Sequence, residues 1–213
     1  MGGRGAGSGG GGTGGLNGGN IAGTESLVSM RESNPQEVDQ ILNVARDVRD
    51  QYGVTVSELE VATIKGQQGS RIMAYYDSGG NLAINEKYFD SAKMDTAYDA
   101  CVSAGWHPGR GNKTGLEATA AHEMGHRLTD VAGQKAGYGD WAIDKTSNQI
   151  IAEAKRRMGA KSVDAVRKGV SGYGQSNNAE AIAEAFSDVY CNGNKASKAS
   201  RTIVNVLDEY LRR

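Results

Sequence analysis

Residues 120 to 130, "AAHEMGHRLTD", place two of the chain's three histidines four positions apart, with a glutamate directly after the first. On an α-helix, positions i and i+4 share one face a turn apart, so His122 and His126 can aim their imidazoles at a single point. Glu123 is rotated by about 100° and can flank that point without being forced to occupy it. Ala120, Ala121, Met124, Leu128 and Val131 form an apolar arc on the other side. A helix of this design can bury its back and offer its histidines to a cleft, the alternative being a surface helix that carries two incidental histidines. Gly125, beside the histidines, leaves room for another element to approach closely.

The HExxH spacing is the pattern of a zinc hydrolase helix, and such a site needs a third protein ligand together with an open position for water. No histidine follows His126, which excludes a downstream third histidine and leaves a carboxylate. Residues 171 to 190, "SGYGQSNNAEAIAEAFSDVY", carry Glu180 and Glu184 at i and i+4, with Ile182, Ala185, Phe186 and Val189 on the opposite arc. This second helix repeats the design of the first. Two such helices packed back into one core could converge on one ion.

The rest of the chain supplies an α+β frame. "SNPQEVDQILNVARDVRDQYG" predicts an amphipathic helix from Pro35 to Gly53, with Val38, Ile41, Leu42, Ala45 and Val48 at helical spacing. "SELEVATIK", "RIMAYYDS" and "GNLAINEKYF" read as three strands separated by "GQQGS" and "DSGGN", the last two as a hairpin. "SAKMDTAYDACVSAG" reads as a helix and "WHPGRGN" as a loop. Helices then cover roughly 114–131, 145–158, 162–168, 177–190 and 196–211.

Composition sets the remaining bounds. Twelve of the 31 glycines fall in the first twenty residues, which offer almost no apolar surface to offset ordering entropy. Residues 1–29 are therefore expected to be a flexible tail and residues 30–213 the domain. A formal net charge of -1, from 24 basic and 25 acidic residues, argues against nucleic acid as a partner. Cys101 and Cys191 show no CxxC spacing and are expected to be buried free thiols. No apolar run is long enough for a membrane span, and the chain's start lacks the apolar core of a signal peptide. The expected location is cytoplasmic or virion-associated. Ala6 stands where a myristoylation signal wants Ser or Thr.

HExxH followed by a helix bearing a glutamate and a second acid four residues later resembles the gluzincin group of zinc metallopeptidases. More narrowly, Tyr173, Glu180, Ala183, Glu184 and Phe186 are similar, at identical spacing, to the segment that supplies the third ligand in the anthrax lethal factor family. "HEMGHRLTD" also resembles that family's zinc helix, including the glycine before the second histidine. The two segments span under a fifth of the chain. The resemblance implies a zincin-like fold, one Zn2+ per chain held by His122, His126 and Glu180, and Glu123 as general base. It further implies that Tyr173 donates to the developing oxyanion and that Glu184 orients the imidazole of His122. Ile182 departs from the aromatic residue that the family tends to carry there.

Peptidases of this type present an edge strand along which an extended substrate can lie, and "RIMAYYD" and "GNLAINEKYF" are the two candidates here. His107, a lone histidine in a turn-rich loop, is expected to be structural. Its His-Pro-x-Gly loop is similar to one in zinc-peptidase-like domains of phage head and prophage proteins, whose chains can also begin with "GGRG" stretches. The expected function is thus a zinc-dependent endopeptidase acting on a protein or peptide, with other phage or mobile-element proteins as partners. The alternative is a non-catalytic zinc-stabilised structural or binding module of a phage particle or mobile element. Glu123 and Tyr173 favour the enzyme, because a purely structural site needs neither.

Overall fold

The computed structural model of the chain describes residues 20–66 and 71–213. Residues 1–19 of the expected tail and residues 67–70 of the expected GQQGS turn lie outside the described residues. The architecture is α+β, as expected, with a four-stranded mixed sheet and seven α-helices among the described residues.

The first helix, α1 (Pro35–Tyr52), starts where proline costs least, at a position whose N–H has no partner within the helix. It ends at Gly53, whose φ of 67° is left-handed and suits glycine. Val38, Ile41, Val44 and Val48 form its buried stripe. Leu42 and Ala45 flank that stripe, half-buried.

Strands β1 (Asn20–Ser26), β2 (Leu59–Lys65), β3 (Ala74–Tyr76) and β4 (Leu82–Asn85) form one sheet in the order β1-β2-β4-β3. β3 and β4 are the expected antiparallel hairpin, and β2 runs parallel to β4. In the hairpin turn, Asp77 Oδ1 accepts from the backbone N–H of Gly79 at 2.9 Å and of Asn81 at 3.0 Å. Every residue of β4 is buried, as befits an interior strand. The strand stops at Asn85, short of the expected Phe89, because the Asn85 side chain accepts from Lys87 N–H and starts a 3-10 turn. Its Nδ2 also donates to Ile72 O at 2.7 Å, pinning the segment that leads into β3.

The domain begins earlier than the boundary at residue 30 that composition suggested. β1 pairs antiparallel with β2 along Asn20–Ser26, and Leu27, just after it, is fully buried. Residues 21–26 are all exposed, so this strand is held by its backbone hydrogen bonds and shows no apolar alternation to read.

Helices α2 (Ser91–Ser103), α3 (Gly115–Lys135), α4 (Ile143–Met158), α5 (Val163–Lys168), α6 (Asn178–Asn192) and α7 (Lys198–Leu211) complete the fold. α3 is the central element and packs against α1, α2, α4, α6, α7, β3 and β4. A capping box starts it: Glu117 N–H donates to Thr114 Oγ1 at 3.2 Å, and Thr114 N–H donates to Glu117 Oε2 at 2.8 Å. It runs a turn past the expected end. Gly133 permits this, since a Cβ there would lie 2.3 Å from Thr146 Oγ1 on the crossing α4. No helix among the described residues is long and apolar enough to cross a membrane.

Leu27 tests the revised boundary. Leu27→Ala should destabilise the protein by about 2–5 kcal/mol, the usual result of truncating a fully buried leucine. Denaturant unfolding reads this directly, and an unchanged midpoint would return residues 20–29 to the tail.

Candidate metal centre

The centre is assembled where α6 lies across α3. A Cβ on Gly125 would fall 2.7 Å from Ala183 Cα and 3.2 Å from Phe186 Cβ, so only glycine admits this approach. The N-terminus of α6 is set by Asn177, whose Oδ1 accepts Glu180 N–H at 2.8 Å. This cap and the close crossing deliver Glu180 to the histidine face of α3.

Glu180 Oε2 lies 3.1 Å from His122 Nε2 and 3.4 Å from His126 Nε2. A tetrahedral zinc site with metal–ligand bonds of about 2.0–2.1 Å has ligand–ligand edges of about 3.3 Å. The ligand atoms of His122, Glu123 and His126 also lie within 4.8 Å of one another and form an alternative cation-holding set. Glu180 is the better third ligand, because one of its oxygens faces both imidazole nitrogens at tetrahedral spacing.

Glu184, one turn further along α6, meets the other nitrogen of His122, with Oε1 at 2.8 Å from Nδ1. Toward an ionised carboxylate the imidazole Nδ1 must donate, which turns the lone pair of Nε2 toward Glu180. Two electron-rich atoms facing each other at 3.1 Å need a proton or a cation between them. Three carboxylates, those of Glu123, Glu180 and Glu184, share this interior with the histidines, and Glu123 and Glu184 are buried. Burial would lower the pKa of His122, but its hydrogen bonds to Glu180 and Glu184 prevail and raise it well above the ordinary imidazole range. Burial would likewise raise Glu180, and the charge of His126 with the hydrogen bonds from both imidazoles hold it far below the ordinary carboxylate range. The donor set therefore fits a divalent cation, which would take over the compensation that protonated histidines otherwise supply.

Glu123 differs from the other two acids. Burial pushes its pKa up against the opposing charges of His122 and His126. The Tyr173 phenol, hydrogen-bonded to Glu180, is driven far above its ordinary range by burial and by the charges of Glu180, Glu123 and Glu184, so it remains a neutral donor. Its position comes from a short 3-10 turn tied to the loop before α3: Gly172 N–H donates to Gly105 O at 2.9 Å, and Tyr173 N–H donates to Trp106 O at 2.8 Å.

A pocket of about 90 Å³ opens beside the centre. Its lining includes His122, Glu123 and Tyr173 together with a second group, Ile72, Met73 and Ala74. The second group leads into β3, which is an edge strand, whereas β4 is interior. Of the two candidate edge segments, "RIMAYYD" is therefore the one at the cleft.

All six residues singled out from the sequence, His122, Glu123, His126, Tyr173, Glu180 and Glu184, come together here. Sequence reasoning missed His107. Its Nδ1 lies 2.9 Å from Glu184 Oε1, and its ring stacks on Tyr98 at 5.2 Å between centroids. Ser171, whose Oγ donates to Glu184 Oε2 at 2.8 Å, was also not singled out. The His-Pro-x-Gly pattern was the available hint for His107. Nothing local marks Ser171. Cys101 is buried as expected, yet it also bonds the His107 ring, and that hydrogen bond lowers its thiol pKa. Comparison with protein-family models, curated proteins and solved structures found no match.

Gly125→Ala should lower stability by about 1–3 kcal/mol through overpacking and weaken metal binding with it. Adding Ala183→Gly should not rescue either property, because the clash is with the Ala183 Cα. Thermal unfolding and a zinc titration on both variants check this, and a Gly125→Ala protein with wild-type zinc affinity would contradict the helix-crossing argument.

Proposed function

We propose that the chain is a zinc-dependent endopeptidase of the gluzincin type. The observation that carries this reading is the convergence of Glu180 on His122 and His126, with Glu123 left over beside them in a pocket bordered by a sheet edge. A structural zinc site is closed by four protein ligands, and this arrangement supplies three. The likeness of "HEMGHRLTD" and "YGQSNNAEAIAEAF" to the lethal factor family supports the same reading.

Zinc bound there would polarise a peptide carbonyl and bring the pKa of a water toward about 7. The chain's own groups supply the rest. An extended peptide lies against the outer edge of β3, its backbone adding to the sheet and its scissile bond brought over Glu123. Glu123, whose burial raises its proton affinity, takes the proton of the attacking water and hands it to the leaving amine. Tyr173, held neutral, donates its O–H to the carbonyl oxygen as charge develops on it. Glu184 keeps the His122 ring in the tautomer that leaves Nε2 free for metal. The likeness of the His-Pro-x-Gly loop to domains of phage head and prophage proteins supports other phage or mobile-element proteins as partners.

The purified protein should hold about one zinc per chain, and chelation should lower its melting temperature. Glu123→Gln should keep the zinc and the fold while hydrolysis of a mixed peptide library falls by about a hundredfold or more. Glu180→Gln should instead weaken zinc binding itself. Tyr173→Phe should retain zinc and reduce kcat with little change in KM. Full zinc occupancy with no peptide cleaved, or a Glu123→Gln protein as active as wild type, would replace the enzyme with the zinc-stabilised structural module.

A further inference from the structure

We infer that His107 is a positioning residue for the metal centre, acting through Glu184; this rests on the metal-binding reading above. Glu184 is 1% exposed and accepts from three side chains. His122 Nδ1 and His107 Nδ1 both approach Oε1, at 2.8 and 2.9 Å, and Ser171 Oγ approaches Oε2 at 2.8 Å. One carboxylate thus joins α3, the loop before it and the turn before α6. A carboxylate with both oxygens engaged on two sides has its plane locked, and that plane sets the ring angle of His122.

His107 is itself held for this task. Its ring stacks on Tyr98 of α2, with 13° between planes, and meets Tyr173 edge-on at 5.6 Å. The Cys101 thiol hydrogen-bonds the same ring. The loop backbone is fixed at Gly105 O and Trp106 O by the N–H groups of Gly172 and Tyr173. Gly172 is required for that approach, since a Cβ would lie 2.5 Å from Gly105 O. The ring lines the pocket but stands behind Glu184, so it orients a group that orients a ligand.

Two substitutions separate this role from simple packing. His107→Asn keeps a donor near the Nδ1 position and removes the ring. His107→Phe keeps the stack on Tyr98 and removes the donor. Cobalt(II) is the probe, titrated into chelator-stripped protein, with affinity taken by competition and site geometry from the visible absorption bands. His107→Phe should bind cobalt about tenfold more weakly or worse, the order usual for loss of an outer hydrogen-bond partner, with altered bands. His107→Asn should stay within about threefold of wild type with its bands preserved, a rescue that packing alone would not produce. Melting of the metal-free proteins verifies that both variants fold, and for a variant that does not, Cys101→Ala, which removes a hydrogen bond holding the ring, should shift the bands while Tyr98→Phe, which keeps the stack, leaves those of wild type; unshifted bands in Cys101→Ala then overturn the assignment. Wild-type affinity and bands in His107→Phe, or an equal loss in His107→Asn, overturn the assignment while leaving the metal centre in place. A wild-type chain that takes up neither cobalt nor zinc overturns the metal reading and this one together.

Discussion

The structure depends on one contact, the crossing of α3 and α6 at Gly125 and Ala183. A side chain of any size at residue 125 would meet the backbone of α6. The separation it permits is what lets a glutamate from the first turn of α6 face two histidines on α3 at 3.1 and 3.4 Å. Backbone against backbone cannot be relieved by a rotamer change, so this contact is less forgiving than the rest of the core. Phe186, at the crossing, and Ile182 are buried in the main core and anchor α6 there.

Placing carboxylates and imidazoles inside a core is costly unless every charge is compensated. The fold meets this requirement in layers. Glu180 sits in the first turn of α6, where the positive end of the helix dipole favours an anion. Glu184 is surrounded by donors from His107, His122 and Ser171. Tyr173 stays a neutral phenol because burial and three nearby acids oppose its ionisation. Among the described residues no such set of donors is found for Glu123, and burial raises its pKa. The environment thereby separates one acid of raised pKa from two of lowered pKa, a difference that suits neighbouring carboxylates to different work.

Much of the frame was legible in the sequence because helices announce themselves by period and by their ends. Pro35 and Gly53 bracket α1, and Thr114 with Glu117 opens α3. β1 was hidden for the opposite reason: the side chains of residues 21–26 are exposed and glycines precede the strand, so it is marked only by its pairing with β2. The wrong boundary at residue 30 follows from reading composition where backbone hydrogen bonding decides. The end of β4 at Asn85 turned on a side chain reaching back to Ile72, a partner 13 residues away.

The sequence by itself determined the chemistry of the centre. An i, i+4 spacing puts His122 and His126 on one face of any helix, and the same spacing does so for Glu180 and Glu184, because the helix repeat is local. Only the tertiary structure decided which acid faces the imidazoles and which stands behind them, since that depends on the angle and closeness of the α3–α6 crossing. It also decided that β3 and not β4 borders the cleft, because strand order is a matter of long-range pairing. His107 belongs to the same category. It lies 77 residues from Glu184 along the chain, and no local pattern can encode a hydrogen bond formed by closing a loop of that length.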